Sequence, residues 1–304
     1  MNLRHKLFCP KNKNTLGDKM EKICPSNFPY ATIYKIKRSE IEKIDFASCA
    51  QPNETLEAFY ERQTVKPEIL INGGFFELSS GQPVFTYIDE GEEITVDKNF
   101  LEGIGTDGTD LVLDTYNENY KDFIAAYPVL MKNGRRIYTS MANEINYSAR
   151  RTVFGYDEIY VYIIIIEVPG YNFSSIKSLL VEYGIPNAIN LDGGASTRIL
   201  VNGKNESSSL YSRAVDNVVA IYLKKEKVIY RVQTGAYSIR ANAEKFLKEI
   251  QSLSDNIGVG YKNAYIRLIN GLYKVQVGAF SVKSNAERVV KDLKEKGYNS
   301  FITT

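Results

Sequence analysis

The stretch Tyr-Arg-Val-Gln-Thr-Gly-Ala-Tyr-Ser at residues 230–238 recurs as Tyr-Lys-Val-Gln-Val-Gly-Ala-Phe-Ser at residues 273–281. Each copy starts with the alternation of a half-buried strand and then reaches Gly-Ala and a polar turn. In both copies Asn-Ala-Glu follows, within a segment whose apolar residues have the spacing that buries one helical face. These residues are Ala243, Phe246, Leu247 and Ile250 in the first copy and Ala286, Val289, Val290 and Leu293 in the second.

A further strand is predicted after each helix, at residues 261–269 and 300–302. The repeat therefore predicts a small α+β domain of βαββαβ order, with both helices on one face of a sheet and the other face open. Over residues 230–304 it resembles the SPOR domain, a family known for binding denuded peptidoglycan glycan strands across that sheet. The resemblance implies a glycan-binding role for Gln233, Tyr237, Ser238, Gln276, Phe280 and Ser281. We expect Val232, Ala236, Val275 and Ala279 to be core.

Charge is unevenly divided along the chain. Residues 230–304 carry 12 Lys+Arg against 6 Asp+Glu, whereas residues 1–229 carry 26 against 30. A basic module suggests an anionic partner, and RNA-recognition domains share the βαββαβ order. Neither copy of the repeat has the Gly-Phe-Gly/Ala-Phe-like aromatic signature of those domains. We therefore expect peptidoglycan and a wall glycopolymer as partners, and no nucleic acid.

The histidines and cysteines of the chain limit the kinds of catalytic and metal site that it can form. The one histidine, His5, lies in a polar N-terminal stretch, which effectively excludes Ser-His-Asp triads and histidine-ligated metals. Cys9, Cys24 and Cys49 are odd in number and form no CxxC pair, which argues against a disulfide framework and against a zinc site. Any catalysis must therefore use carboxylates, Arg, Lys, Tyr or backbone donors.

The 304 residues suffice for one large and one small domain. We expect an N-terminal extension at 1–27, a large domain at 28–223, a linker at 224–229 and the small module at 230–304. The start of the chain lacks a sustained apolar run, and the longest one, 161–166, is too short to cross a bilayer. These patterns predict synthesis in the cytoplasm without a signal peptide, and no membrane insertion. The resemblance to the SPOR domain implies action at the bacterial wall.

The large domain contains many short strand-like runs and one clear amphipathic helix. The strands are predicted at residues 31–37, 68–72, 111–113, 160–168, 188–190 and 218–223. The helix is predicted at 174–183, with Ser174 as its N-cap and Gly184 as its stop. The pattern predicts an α+β domain built around a mixed sheet.

Three motifs with glycines or arginines stand at strand ends: Ile-Asn-Gly-Gly-Phe-Phe-Glu at 71–77, Arg-Arg-Thr-Val-Phe-Gly at 150–155 and Ile-Asn-Leu-Asp-Gly-Gly-Ala-Ser-Thr-Arg at 189–198. Paired glycines let a ligand approach the backbone closely. With the turn at 128–134, these motifs resemble the phosphodiester glycosidase family. Ala195 stands where glycine is more usual and Glu77 where a shorter residue is common, so the substrate stays open.

That family activity splits a sugar–phosphate diester at the anomeric carbon and expels a phosphate monoester, which is a good leaving group. The site needs a cation for the phosphate and a carboxylate for the sugar or for water. Arg151 is the first choice of cation, followed by Arg198 and Arg213. Asp192 is the leading carboxylate and Glu77 the second. Orienting groups would be Asn72, Ser196 and Thr197, and the amides of Gly73, Gly74, Gly193 and Gly194 could cradle an oxyanion.

Other readings stay open at this point. Asp192 could cap a turn, Arg151 could form a structural ion pair, and Phe75 and Phe76 are expected to be core. Only one acid lies in the 189–198 motif, so we expect no cofactor and no obligatory metal. The sequence thus predicts a hydrolase of glycosidic phosphodiesters in wall polymer, of phage (endolysin) or sporulation origin. The alternatives are a hydrolase of another wall bond and a non-catalytic carbohydrate-binding protein.

Overall fold

The computed structural model describes residues 19–50, 53–125, 127–138, 144–208, 212–225, 228–255 and 258–304. His5 and Cys9 lie outside these residues. The chain divides into two compact units between Lys224 and Lys225. Helices and sheets occur in both units, which confirms the predicted α+β class. None of the described helices is long and apolar enough to cross a membrane.

A seven-stranded sheet forms one layer of the large unit, in the order β1-β2-β13-β12-β14-β10-β11. Its strands are β1 (Met20–Ile23), β2 (Ala31–Lys37), β10 (Val129–Lys132), β11 (Arg135–Arg136), β12 (Ala149–Tyr156), β13 (Tyr160–Tyr171) and β14 (Asn187–Asn190). β1 pairs with β2. The large domain therefore begins before the expected start at residue 28.

Two five-stranded sheets complete the large unit. One has the order β16-β15-β4-β17-β3, built from β3 (Ile41–Ser48), β4 (Ile69–Asn72), β15 (Ile199–Val201), β16 (Lys204–Asn205) and β17 (Asn217–Leu223). The other has the order β6-β5-β9-β7-β8, built from β5 (Tyr87–Asp89), β6 (Glu92–Thr95), β7 (Glu102–Thr106), β8 (Leu111–Thr115) and β9 (Asp122–Ala125). Every pairing that the structure describes is antiparallel, so these sheets are not mixed in strand direction.

The main core of the large unit lies among the three sheets. Each sheet contributes fully buried side chains to it, including Phe154 from the first, Ile71 from the second and Ile104 from the third. Burying such apolar area is the main stabilising contribution to the fold. The glycine-containing strand ends are therefore held by a core that all three sheets share.

Two helices cover the outer faces of this unit. Helix α1 (Leu56–Arg62) buries Leu56 and Phe59 against the sheet that contains β4. Helix α2 (Phe173–Glu182) buries an apolar stripe against the seven-stranded sheet. The N-cap of α2 is Asn172, whose side chain accepts a hydrogen bond from the Ser175 amide at 2.9 Å, so the expected cap Ser174 is wrong. Gly184 follows the helix with a φ of +65°, in agreement with the predicted stop.

The small unit has the predicted βαββαβ order. Its elements are β18 (Tyr230–Tyr237), α3 (Arg240–Gln251), β19 (Tyr265–Ile269), β20 (Leu272–Phe280), α4 (Lys283–Glu295) and β21 (Phe301–Thr303). The sheet order is β19-β20-β18-β21, and every pairing is antiparallel. Val232, Val275 and Val277 are fully buried with the inner faces of both helices.

The prediction of core positions in the small unit is right for two residues and wrong for two. Val232 and Val275 are buried, but Ala236 and Ala279 are exposed. The register between β18 and β20 shifts between Arg231 and Val232 and again between Gln233 and Gly235. An extra residue at such a bulge reverses the face to which the following side chains point. The bulges therefore turn both alanines away from the helices.

Two cysteines lie in the described residues. Cys24 is disulfide-bonded, although the odd number of cysteines argued against a disulfide framework. Cys49 is free and buried, and burial raises the pKa of its thiol. Cys49 is therefore a core side chain rather than a reactive thiolate.

Asp122 in β9 is fully buried, with its Oδ1 accepting a hydrogen bond from the Glu90 amide at 2.8 Å. Burial raises the pKa of this carboxyl to about 6, and the charges of Asp45 and Asp89 add to the rise. The folded protein thus binds the proton more tightly than the unfolded chain. The stabilising contribution is complete below the ordinary value of 3.8 and is lost as the pH rises through about 6.

We expect Asp122→Asn to raise the free energy of unfolding by about 1–2 kcal/mol at pH 8, because the asparagine places no charge in this buried site. Urea unfolding measured at pH 8 and at pH 4.5 would show the gain shrinking at the lower pH. Asp114→Asn, at an exposed position in the same sheet, is the control and should show no such change. An equal gain at both pH values would contradict the assigned titration.

Candidate functional sites

The end of β4 is held in place by one buried carboxamide. Asn72 is fully buried, and its Nδ2 donates to the Asp192 carbonyl oxygen at 2.8 Å. Its Oδ1 accepts from Thr152 Oγ1 at 2.7 Å and from the Arg198 amide at 3.2 Å. Asn72 therefore ties β4 and β12 to the 192–198 turn. The sequence predicted an orienting role on substrate, but the side chain positions the backbone.

The two glycines after Asn72 pack against β17. The Gly73 amide donates to the Asn217 carbonyl oxygen at 2.9 Å, and the Gly74 amide donates to Asn217 Oδ1 at 2.6 Å. Both amides are thus engaged within the protein, and neither is the oxyanion donor that the sequence predicted. The Gly73 carbonyl oxygen accepts from the Asp192 amide at 3.0 Å, so the 72–74 and 192–194 motifs are directly joined.

Asp192 follows β14 and is half-buried. Its Oδ1 accepts from the Gly193 amide at 2.8 Å. Burial raises the pKa of the Asp192 carboxyl, although the hydrogen bond from the Gly193 amide and the charges of Arg213 and Arg151 act in the opposite direction. The site therefore contains a carboxyl that binds its proton more tightly than an exposed aspartate does.

Arg151 lies beside this carboxyl and is 4% exposed. Its Nη2 donates to the carbonyl oxygens of Ile145 and, at 3.2 Å, Tyr147, and its guanidinium lies 4.7 Å from the centre of the Phe173 ring. A Cβ placed on Gly193 would lie 3.5 Å from Arg151 Cδ, so the chain carrying Asp192 passes directly over the arginine. The structure thus brings the two predicted catalytic groups together.

Arg151 has no carboxylate within salt-bridge distance among the described residues. Burial lowers the pKa of its guanidinium, while Tyr147 and Asp192 act to raise it. A buried cation without a paired carboxylate is costly unless another anion neutralises it. This feature favours anion binding over the structural ion pair that the sequence left open.

Arg213 is the second predicted cation at Asp192. It is half-buried, with its guanidinium 5.7 Å from the centre of the Phe76 ring. Its charge lowers the pKa of the Asp192 carboxyl, and more strongly than that of Arg151 does. Asp192 is therefore close enough to two arginines for both charges to affect its carboxyl.

Arg198 and Glu77 were also predicted as site residues, but in the structure each of them bonds to another residue. Arg198 is buried, and its guanidinium donates to the Glu57 carboxylate on α1, with an Nε–Oε1 distance of 2.7 Å. It is thus a structural ion pair rather than a substrate-binding group. Glu77 is exposed and accepts from Ser80 Oγ at 2.8 Å within its own turn. Glu77 is not among the groups with the largest effects on the pKa of the Asp192 carboxyl.

Arg150 is a positioning residue that the sequence analysis did not single out. Its Nη1 donates to the Gly194 carbonyl oxygen at 3.0 Å and its Nη2 to the Thr197 carbonyl oxygen at 2.8 Å. Its Nε donates to Glu167 at 2.9 Å. Arg150 therefore holds the turn that carries Asp192, and the paired arginines of the 150–155 motif were the signal for it.

Several buried polar atoms around the turn have no hydrogen-bond partner in the described part of the chain. They are Arg151 Nε, Asn190 Oδ1, Ser196 Oγ and Thr197 Oγ1. Buried polar atoms in folded proteins are normally satisfied by protein, water or ligand. Donors and acceptors left without protein partners beside Asp192 are the features expected of a polar binding site.

Four half-buried aromatic rings, Phe75, Phe85, Phe100 and Tyr127, form a cluster with centroid separations of 4.1 to 5.9 Å. The Tyr127 carbonyl oxygen accepts from Asn190 Nδ2 at 2.7 Å, which places the cluster at the same strand end as Asp192. Phe75 and Phe76 were expected to be core, and both are half-buried instead. The cluster offers an apolar surface for a sugar ring.

The described residues contain no group of three side chains suited to hold a metal ion. The structure therefore gives no residue set to which a metal could be assigned. The charged groups that the structure brings together here are the Asp192 carboxyl and the Arg151 and Arg213 guanidinium groups.

The small unit presents one row of side chains across its four strands. Tyr265, Gln276, Gln233 and Phe301 lie directly opposite one another in successive strands. Directly paired residues share a face, and the neighbours Val232, Val275 and Val277 point into the helix-covered core. The row therefore lies on the face that the helices leave open.

The two central glutamines are 4% and 1% exposed, and the Oε1 atom of each has no partner among the described residues. Phe301 is 55% exposed at one edge and Tyr265 half-buried at the other. Arg231, Arg267 and Lys274 lie on the same face by their pairing. The sequence missed Tyr265 and Phe301 because they lie outside the repeated stretch.

The two aromatic residues that the resemblance implies, Tyr237 and Phe280, lie on the face that the helices cover. Tyr237 packs against Phe246 of α3, with ring centroids 5.6 Å apart, and Phe280 also packs against the core. Bulges at Gly235 and Gly278 turn both aromatics toward the helices. Ser238 and Ser281 are exposed in the turns that follow.

Each unit thus has one candidate binding surface. The large unit carries a carboxyl close to two arginines, neither of which forms a salt bridge among the described residues, on its glycine-containing strand ends, and the small unit carries a row of polar and aromatic side chains on its open face. The chain belongs to the phosphodiester glycosidase family, whose model matches residues 66–222. The SPOR domain model matches residues 226–304.

The matched relatives are consistent with this assignment. The chain is 28% identical over 162 residues to N-acetylglucosamine-1-phosphodiester alpha-N-acetylglucosaminidase of Homo sapiens, covering 43% of this chain and 31% of the relative. The chain thus spans about a third of the length of that relative. The auto-inhibited catalytic domain of the zebrafish enzyme superposes with a TM-score of 0.52 at 18% identity, covering 67% of this chain and 82% of that one.

A further solved structure is similar to the small unit. The peptidoglycan binding domain of the B. subtilis cell wall lytic enzyme CwlC is 33% identical, covering 27% of this chain and 96% of that chain, with a TM-score of 0.21.

We expect Gly73→Ala to destabilise the protein by about 2–3 kcal/mol, because overpacking at a rigid contact is costly. The added Cβ would lie 2.0 Å from Asn217 Oδ1. Gly74→Ala is the matched control, since its nearest contact would be 3.4 Å away at a flexible Ile124 side chain. Chemical denaturation of both variants measures the difference. Equal stability of the two would contradict the packing described here.

Proposed function

We propose that the large unit hydrolyses a glycosidic phosphodiester, a sugar-1-phosphate diester, in a bacterial wall glycopolymer. The small unit holds the enzyme on peptidoglycan. The observation that carries the proposal is the packing of the segment that follows Asp192 against the buried side chain of Arg151, whose guanidinium forms no salt bridge with a carboxylate among the described residues. Family membership and the name of the human relative support the same bond type.

Arg151 and Arg213 would bind the phosphate of the scissile diester. Arginine suits a phosphate because its planar N–H groups can donate to two oxygens at once. Arg151 Nε has no protein partner among the described residues and is available to donate. Charge on the leaving phosphate monoester would thus be stabilised as it develops.

Asp192 would act on the water that replaces the phosphate. The bond between the anomeric carbon and the phosphate oxygen breaks, and its electron pair leaves with the phosphate monoester. Water adds to the anomeric carbon, and Asp192 takes up the proton that the water loses. A raised carboxyl pKa makes the ionised form a stronger base than an ordinary aspartate. Activity should therefore rise with pH through the raised pKa of Asp192.

The sugar would lie on the aromatic cluster of Phe75, Phe85, Phe100 and Tyr127. Aromatic faces pack well against the C–H faces of sugar rings while the hydroxyls stay exposed to polar groups. Asn190, Ser196 and Thr197 carry the unpartnered buried oxygens nearest in sequence to Asp192 among the described residues. These atoms are the candidates for contacts to sugar hydroxyls.

Action outside the cytoplasm fits the disulfide at Cys24, because disulfides persist mainly in oxidising compartments. A catalytic domain joined to a wall-binding module is also the plan of phage endolysins. We place the protein in that context, or in wall turnover during sporulation. Release of sugar from purified walls with and without teichoic acid would identify the polymer by mass analysis.

We expect Asp192→Asn to reduce kcat by roughly 10²–10⁴-fold through loss of the base, with substrate binding retained. Arg151→Gln should reduce kcat/KM by roughly 10²–10³-fold through loss of phosphate stabilisation. Hydrolysis of UDP-N-acetylglucosamine-type sugar phosphates, followed by chromatography, measures both. Arg135→Gln, at an exposed position in β11, is the control. Full turnover by Asp192→Asn would exclude this carboxyl as the base.

Phe301→Ala should weaken binding to denuded peptidoglycan about fivefold or more, because the variant loses aromatic contact at the edge of the open face. Leu268→Ala is the matched control, since Leu268 is similarly exposed at 60% but is paired with the core-facing Tyr273. Co-sedimentation of each variant with amidase-treated glycan strands measures the binding. Equal losses in both variants would argue against this face.

A further inference from the structure

Helix α2 carries a second buried cation that the proposed reaction does not use. Lys177 is 5% exposed, and no carboxylate lies within salt-bridge distance of its Nζ among the described residues. The Nζ lies 4.3 Å from the centre of the Tyr138 ring. Ammonium groups are rarely buried without a paired carboxylate because of the loss of hydration.

An arginine lies close to Lys177. Arg136 of β11 is exposed, and its Nη2 donates at 3.4 Å to the Oγ of Ser178, the residue that follows Lys177 on α2. Burial lowers the pKa of Lys177, and the positive charge of Arg136 lowers it further. Arg136 and Lys177 thus lie close to each other, and neither forms a salt bridge with a carboxylate among the described residues. Like charges in this arrangement repel unless an anion binds to both.

The pair lies one helical turn from the proposed phosphate site. Phe173, four residues before Lys177 on α2, packs under the Arg151 guanidinium at 4.7 Å. Residues four apart lie on the same helix face, with a rise of about 6 Å between them. Arg151 and Lys177 are therefore placed at successive turns along one side of α2.

We propose that Lys177 and Arg136 form a second anion subsite, which takes the phosphate group of a neighbouring repeat in a polymeric phosphodiester substrate. Phosphate oxygens would accept hydrogen bonds from Lys177 Nζ and from the guanidinium of Arg136. The neighbouring-repeat assignment rests on the proposed function of the active site, whereas the binding of a phosphate anion does not. The subsite makes the enzyme prefer a chain of phosphodiesters to a single one.

The test compares two substrates, a single sugar-1-phosphate diester and a wall glycopolymer with several phosphodiester repeats. Arg136→Gln leaves the core untouched because Arg136 is exposed, and Lys177→Gln removes the buried charge. Each variant should lose about tenfold in kcat/KM on the polymer, the loss of one charge-assisted contact of about 1.4 kcal/mol. On the single diester each should stay within about twofold of the wild type. Lys177→Arg should retain the preference for polymer.

Lys98→Gln is the control, because Lys98 is an exposed lysine of the same unit. Calorimetric titration with inorganic tripolyphosphate gives a readout that does not depend on catalysis. Weaker tripolyphosphate binding by Arg136→Gln and Lys177→Gln, but not by Lys98→Gln, supports the subsite even if no diester is hydrolysed. Failure of the wild-type protein on both substrates would instead overturn the proposed function.

Equal losses on both substrates would show that the two residues act through folding or through the active site, and would overturn the subsite. Unchanged polymer kinetics together with unchanged tripolyphosphate binding would overturn it as well. Should Lys177→Gln fail to fold, Arg136→Gln carries the test alone, since its side chain lies on the surface.

Discussion

The site depends on the buried carboxamide of Asn72. Its two polar atoms are bonded to Thr152, to the Asp192 carbonyl oxygen and to the Arg198 amide. A buried amide must be satisfied on both sides, because each unmade hydrogen bond costs about 1–3 kcal/mol. The ends of two sheets and the 192–198 turn are thereby held in one arrangement. The carboxyl and the guanidinium meet because this junction places them.

The arginines of the large unit divide into two groups by their partners. Arg150 and Arg198 donate to Glu167 and Glu57 and so stabilise the backbone around the turn. Arg151 has no such carboxylate partner among the described residues, although it is buried. Removing a charge from water without pairing it is unfavourable. The fold therefore buries a cation without a carboxylate partner among the described residues, and Lys177 on α2 shows the same feature.

The small unit obtains its open face from the repeat in its sequence. Because β18 and β20 run antiparallel, the two copies of one motif place Gln233 opposite Gln276. The residues that extend this row to the edges, Tyr265 and Phe301, come from outside the repeat. The centre of the row is therefore symmetric, with one glutamine from each copy of the repeat, whereas its edges differ, with Tyr265 at one and Phe301 at the other.

The sequence by itself determined what depends on local periodicity and on residue chemistry. The helical spacing after each repeat predicted α3 and α4, the glycine motifs marked the strand ends, and the scarcity of histidine excluded imidazole chemistry. Only the tertiary structure decided which groups meet. Arg151 and Arg198 look alike in sequence, yet one lacks a carboxylate partner and the other has Glu57, more than a hundred positions away. The bulge that turns Ala236 to the open face and Tyr237 to the helices could not be predicted from the sequence either. A one-residue shift in pairing is set by the partner strand and not by the strand's own alternation.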